Sequence, residues 1–302
     1  MYRRMLIPLD GSPLAEQALP LAKALAERFQ SSVTLFRAIE PVRETLREEG
    51  ARVSVADQVE LMRGLALEYL EIAHRDFESI HVPAERVVRV GHPASAILDL
   101  AETARADLIV MATHGRTGIQ RWVYGSVADK VLTGARSPLL LVRAKPMPLA
   151  ETRISRILVP LDGSELAEGA LPFAQELARA FDAEILLLRV WAPSAYIIEG
   201  YPAGRSVVEF DEVAQASVQE YLRQENRELQ NQGLRVKWET EIGPTADGIL
   251  QAVETHAAST IVMSTHGRSG LGRWVMGSVA ERVLSASPVP VLLVRSGAAA
   301  SS

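Results

Sequence analysis

Two kinds of apolar pattern alternate along this chain. Short runs rich in apolar and β-branched residues, at positions 5–9, 32–39, 86–90, 108–112 and 139–142, predict strands covered on both faces. Between them, apolar residues return every three or four positions, which predicts helices. Leu14, Ala18, Leu21, Ala22 and Leu25 mark the first, with Ser12 able to cap it and Pro13 suited to its first position. A long amphipathic helix over 59–77 turns Leu61, Leu65, Tyr69, Ile72 and Ala73 toward the core. A third helix covers 94–104 through Ile97, Leu98 and Ala101, and a fourth opens at Gly125-Ser126, runs through Val127, Val131 and Leu132 and stops at Ser137-Pro138. Residues 40–56 have no clean period and read as a loop or short irregular helix. Strand–helix alternation of this kind predicts an α/β fold, a mostly parallel five-stranded sheet with right-handed crossovers and helices on both faces.

The whole plan then occurs again. Leu6-Ile7-Pro8-Leu9-Asp10-Gly11-Ser12 returns as Leu158-Val159-Pro160-Leu161-Asp162-Gly163-Ser164, and Thr113-His114-Gly115-Arg116 returns as Thr265-His266-Gly267-Arg268. The offset is 152 throughout, as positions 10 and 162, or 125 and 277, illustrate. Repeats of stacked solenoids run about 20–50 residues, so this period is a duplicated domain. The expected division is one domain over 1–145, a proline-bearing linker over 146–153, a second domain over 154–297 and a frayed tail over 298–302. Strands of the second copy are expected near 157–161, 185–190, 235–242, 260–263 and 291–294. The least similar stretch, 192–211, reads as the loop after its second strand. The acidic and basic residues of 212–229, among them Glu220, Glu225, Glu228, Arg223 and Arg227, read as a solvated helix face.

Composition narrows the function classes. A net charge of −5 disfavours a nonspecific nucleic-acid binder, which needs a basic face to displace counterions. With no cysteine, thiol nucleophiles, thiolate metal sites and disulfides are excluded. No apolar stretch approaches the roughly 18 residues of a membrane span, and 5–9 is too short for a signal-peptide core, so a cytoplasmic location is expected.

Candidate chemistry gathers at two strand ends. In open parallel sheets ligands collect beyond the carboxyl ends of the strands, where the strand order reverses. Strand one ends there in Asp10 (Asp162), and strand four ends in the loop that leads to Gly125-Ser126 (Gly277-Ser278). Glycine lets backbone N–H groups approach an anion, and a helix start adds unpaired donors. Asp10 would repel phosphates; it suits a ribose hydroxyl or a metal ion. Arg116 and Arg121, with Arg268 and Arg273, could reach phosphates as charge-assisted donors. His114 and His266 read as structural or phosphate-side groups rather than catalysts, and Trp122 and Trp274 as packing residues. No cluster at metal spacing and no Ser-His-Asp arrangement accompanies them.

The spacing Gly115, nine residues, Gly125-Ser126, repeated as Gly267, nine residues, Gly277-Ser278, resembles the phosphate loop of the universal stress protein family, and Ile7-Pro8-Leu9-Asp10-Gly11-Ser12 is similar to that family's first strand. The resemblance covers nearly the whole chain twice. It implies two tandem Rossmann-like domains of the adenine-nucleotide alpha-hydrolase type, each binding ATP, with or without Mg²⁺. By resemblance, Asp10 and Asp162 meet the ribose and the backbone of Ala38 and Val190 the adenine. The phosphates rest on Gly115, Gly125, Ser126 and Val127, and on Gly267, Gly277, Ser278 and Val279. Pro8, Leu9, Met111, Ala112, His114 and Arg116 complete the first candidate set; Pro160, Leu161, Met263, Ser264, His266 and Arg268 complete the second. The family's first signature glycine is replaced by Ala112 and Ser264; if that backbone needs a positive φ, both substitutions cost energy.

Three functions fit: an ATP-binding stress or signalling protein with little or no turnover, an interaction scaffold without nucleotide, and a slow ATPase. Family resemblance also implies that the fifth strands pair between domains, giving an internal pseudo-dimer and room for a homodimer of tandem chains.

Overall fold

Arg3 and Arg4 donate their backbone N–H groups to the two oxygens of Asp107, each at 2.9 Å, and this clamp sets the two central strands of the first domain side by side. At the matching place in the second domain Ser259 Oγ accepts from the N–H groups of Ser155 and Arg156, at 2.9 and 3.2 Å. These details come from a computed structural model that describes residues 1–40, 54–113, 125–143, 153–191, 205–265 and 276–295, with the side chains of 205–212 and 214 left aside. The chain divides into two units, Met1–Thr152 and Arg153–Ser302. The expected linker lies almost wholly outside the described residues.

In the first unit β1 is Arg4–Pro8, β2 Ser32–Ile39, β3 Ala84–Val90, β4 Leu108–Thr113 and β5 Leu139–Arg143. All pair in parallel, in the order β3-β2-β1-β4-β5. Helices α1 (Leu19–Phe29), α2 (Val55–Glu78), α3 (Pro93–Thr103) and α4 (Ser126–Gly134) connect them. The second unit repeats this with β6 (Arg156–Pro160), β7 (Glu184–Trp191), β8 (Val236–Ile242), β9 (Thr260–Ser264) and β10 (Val291–Val294), in the parallel order β8-β7-β6-β9-β10. Its helices are a one-turn α5 (Glu165–Glu168), α6 (Leu171–Phe181), α7 (Arg205–Asn231), α8 (Thr245–Thr255) and α9 (Ser278–Ala286).

The inner runs are covered on both faces, as expected: every residue of β4 is buried, and Leu6 and Ile7 of β1 have no exposure; the run at 86–90 is not, since β3 is the edge strand and Arg86 and Val90 face outward. From β1 the chain winds through β2 and β3 on one side and β4 and β5 on the other. The β1–β4 ladder is short, pairing Met5 with Leu108 and Leu6 with Ile109. A crevice therefore opens beyond their carboxyl ends, at the switch point.

Several expectations are corrected. Ser12 caps only a short 3-10 turn, Ala15–Ala18, and Pro13 is not in α1; α1 starts at Leu19, where Pro20 takes the early position with no N–H to lose. In α2 the buried face is Ala66, Leu70, Ala73 and Phe77, while Leu61, Leu65 and Ile72 are 64%, 57% and 70% exposed. The stripe of Ala66, Leu70, Ala73 and Phe77 is the one that α2 packs onto β2 and β3. The stretch 205–211 belongs to α7, not to a loop. On α7 Glu225 is not freely solvated: it is partly buried, and Glu168 acts on its carboxyl.

Candidate functional site

Where β1 ends, the backbone turns sharply because Gly11 takes φ +86°, a conformation that a Cβ disfavours. Leu9 N–H still reaches the carbonyl of Phe36 at 2.8 Å, extending the strand by one residue before Asp10. Asp10 Oδ1 accepts from Ser12 N–H at 2.8 Å, and Ser12 Oγ accepts from Ala15 N–H at 3.1 Å. The second unit repeats the turn with Gly163 at φ +73°, Asp162 Oδ1 accepting from Ser164 N–H at 3.0 Å and Ser164 Oγ accepting from Ala167 N–H at 3.2 Å.

Across the crevice, α4 starts at Ser126 after Gly125, and α9 at Ser278 after Gly277, neither with a side-chain cap. Their first N–H groups are donors that the helix cannot satisfy itself. Gly277 N–H donates to the carbonyl of Thr265 at 3.1 Å, tying the start of α9 to the end of β9.

A cavity of about 190 Å³ lies between these elements in the first unit. It brings together Pro8, Leu9, Asp10, Ala38, Met111, Ala112 and Val127 of the candidate set. Gly125 and Ser126 stand at the same helix start without lining it. The second cavity, about 270 Å³, gathers Pro160, Leu161, Asp162, Val190, Met263, Ser264, Gly277, Ser278 and Val279. His114, Gly115, Arg116, His266, Gly267 and Arg268 lie outside the described residues, as do Arg121, Trp122, Arg273 and Trp274.

Ala112 and Ser264 sit within β4 and β9, and neither has a positive φ. The signature-glycine positions therefore carry no backbone strain here. Ser264 Oγ is buried and has no hydrogen-bond partner among the described residues.

Sequence reasoning missed the apolar walls. Phe36, Pro93 and Ile97 line the first cavity and Thr245 and Ile249 the second. It also missed a charged group behind the turn. The Arg37 guanidinium lies 4.9 Å from the centre of the Tyr69 ring, and a Cβ on Gly11 would stand 3.0 Å from both its terminal nitrogens. Burial, then Glu16 and Asp10, hold the Tyr69 phenol well above its ordinary pKa. Glu16 acts on that phenol, although Tyr69 OH closes no hydrogen bond with it. In the second unit Tyr221 OH does donate to Glu168, at 2.8 Å, and Arg189 donates to the Leu161 carbonyl at 3.4 Å. Burial, then Glu168 and Glu225, raise the Tyr221 pKa likewise. The signal was available: Glu16, Arg37 and Tyr69 recur as Glu168, Arg189 and Tyr221 at the 152-residue offset.

Each cavity thus offers, among the described residues, an apolar slot, one carboxylate at a strand end and a helix start whose first N–H groups have no partner within the helix. That combination suits a ligand with a flat apolar body, hydroxyls and an anionic tail.

Comparison with known proteins agrees with this architecture. The sequence profile of the universal stress protein family matches residues 1–143 and again 153–295. A universal stress protein of Methanocaldococcus jannaschii, MJ0531, is 34% identical over 145 residues, 48% of this chain and 84% of its own length. One from Mycolicibacterium smegmatis is 24% identical over 293 residues, 96% of both chains. The crystal structure of a universal stress protein from Archaeoglobus fulgidus superposes with a TM-score of 0.75 at 22% identity, covering 98% of this chain and 99% of its own.

Proposed function

This chain belongs to the universal stress protein family, with two copies of its domain in tandem, and we propose that each copy binds one ATP with little or no turnover. The observation that carries the reading is the doubled cavity, walled by apolar residues and set between a strand-end aspartate and an uncapped helix start. Asp10 and Asp162 accept from ribose hydroxyls. The adenine lies in the slot beside Ala38 and Val190. Phosphates take the N–H groups of Ser126 and Val127, or of Ser278 and Val279, where the helix dipole adds about 0.3–1 kcal/mol. Mg²⁺, when present, travels with the phosphates.

Slight turnover follows from the same geometry. The one carboxylate lining each cavity, among the described residues, stands at the strand end rather than at the helix start that receives the phosphates. The scaffold alternative drew its support from Ala112 and Ser264, and that support weakens because neither position needs a positive φ. Titration of nucleotide-free, refolded protein with Mg-ATP tests the proposal. Two equivalents per chain are expected, and no binding at millimolar ATP would overturn it.

We further propose, from the apolar character of β5 and β10, that the two domains pair through these strands as an internal pseudo-dimer. Leu141→Pro should then separate the domains in small-angle scattering; an unchanged profile would contradict the pairing.

A further inference from the structure

The charged group behind the strand-end turn has no place in nucleotide contact as described, yet both domains keep it. Its geometry is specific. Arg37 comes from β2, next to Ala38 of the cavity wall, and its guanidinium packs against Gly11, where a Cβ would stand 3.0 Å from both terminal nitrogens. Arg189 comes from the same place on β7 and donates to the carbonyl of Leu161, the residue before Asp162. A Cβ on Gly163 would stand 3.3 Å from its Nη1. The Tyr69 ring of α2 faces the Arg37 guanidinium at 4.9 Å.

The charges explain why such a group is useful. A ligand with hydroxyls and phosphates makes opposing demands on one site. The hydroxyls want a carboxylate acceptor, while the phosphates are repelled by it over the length of the ligand. Asp10 does not stand alone: Glu16 acts on the same Tyr69 phenol as Asp10 and Arg37. In the second domain Glu168 and Glu225 both act on Tyr221, and Arg189 opposes them. In each domain a neutral phenol and one guanidinium therefore face two acids: Glu16 and Asp10 in the first, Glu168 and Glu225 in the second.

We propose that Arg37 and Arg189, lying against the Asp-Gly-Ser turn, are positioning residues that offset the charge of Asp10 and Asp162, so that each carboxylate serves the ribose without repelling the phosphates. This rests on the nucleotide reading above. It makes both arginines determinants of preference for phosphorylated over unphosphorylated ligands, although neither touches a phosphate.

The test compares affinities for adenosine, AMP, ADP and ATP in the full chain and in Arg37→Gln, Arg189→Gln and the double variant. ATP affinity should fall about tenfold at the altered site. Adenosine affinity should stay within about twofold, the loss should grow with each phosphate, and Arg→Lys, which keeps the charge without the guanidinium fork, should restore part of it. Arg37→Gln and Arg189→Gln should each act at their own site, with effects of similar size. Should the double variant fail to fold, the single variants carry the same readout, one site at a time. Equal loss for adenosine and ATP would reduce the arginines to structural supports and overturn the inference, as would unchanged ATP affinity. Failure of the unaltered protein to bind any of the four ligands would instead overturn the nucleotide reading, and the inference with it.

Discussion

A Cβ on Gly277 would lie 3.3 Å from the carbonyl oxygen of Thr265, the same oxygen that accepts the Gly277 N–H at 3.1 Å. The start of α9 is thus held tightly against the end of β9. Gly277→Ala should push the two apart by a few tenths of an ångström and replace a tolerated N-cap residue with a poor one. The expected outcome is a stability loss of about 1 kcal/mol and loss of one of two ATP equivalents in calorimetry. Gly125→Ala should remove the other.

The face that α2 buries gives a second expectation. Leu70 has no exposure, so Leu70→Ala should cost about 2–5 kcal/mol in denaturant unfolding. Leu61→Lys and Ile72→Lys should each change stability by less than about 0.5 kcal/mol, because both side chains already face outward.

This helix also shows how much of the fold was legible. Period and length located α2, and strand β2 was read to the residue. Of the residues the period turned inward, Ala73 is buried and Tyr69 half-buried, but Leu61, Leu65 and Ile72 face out, and Ala66, Leu70 and Phe77 are buried instead. Which face meets the sheet is a tertiary fact. Similarly, Ser12 announced a helix start, whereas the turn it caps ends before α1 begins. Strand ends pointed to Asp10, which lines the first cavity, and glycine spacing to the helix start beside it, although Gly125 itself does not line that cavity. Phe36 and Ile97 looked like ordinary core, because a cavity wall and a core share one composition. Arg37 and Tyr69 were hidden for another reason: their partnership joins β2 to α2 across 32 positions, and only the second copy signals it.

Two acids of the second domain should have opposite pH signatures. Burial, with Glu168 and Glu228 nearby, holds the Glu225 carboxyl above its ordinary pKa. The folded state therefore binds that proton more tightly than the unfolded chain, and Glu225 costs stability as pH rises past the ordinary carboxylate range. Glu225→Gln should stabilise the protein at pH 7 by less than about 1 kcal/mol, since the group is partly solvated. The gain should vanish below about pH 4. Burial also pushes Glu184 up, but its hydrogen bond to Lys237 and the charge of Arg156 outweigh that, and its pKa is lowered. Its stabilisation is present above the ordinary carboxylate range and is lost as pH falls through the lowered value. Glu184→Gln should therefore destabilise at pH 7 and matter less in acid. Thermal melts across pH 3–8 check both signs.

Ser264 keeps a buried hydroxyl without a partner among the described residues, while the first domain has Ala112 in its place. Leaving a buried hydroxyl unsatisfied costs about 1–3 kcal/mol. Ser264→Ala should therefore leave the melting temperature unchanged or raise it. A clear drop would mean that the hydroxyl has a protein partner.

The central claim is that each domain holds an adenine nucleotide between its strand-end aspartate and its uncapped helix. A crystal structure of the protein grown with ATP tests it most directly. The account predicts density in both cavities, with ribose oxygens within hydrogen-bond distance of Asp10 and Asp162 and phosphates at the starts of α4 and α9. Crystals grown at saturating ATP in which both cavities hold only water, or in which the phosphates lie against the aspartates, would contradict it.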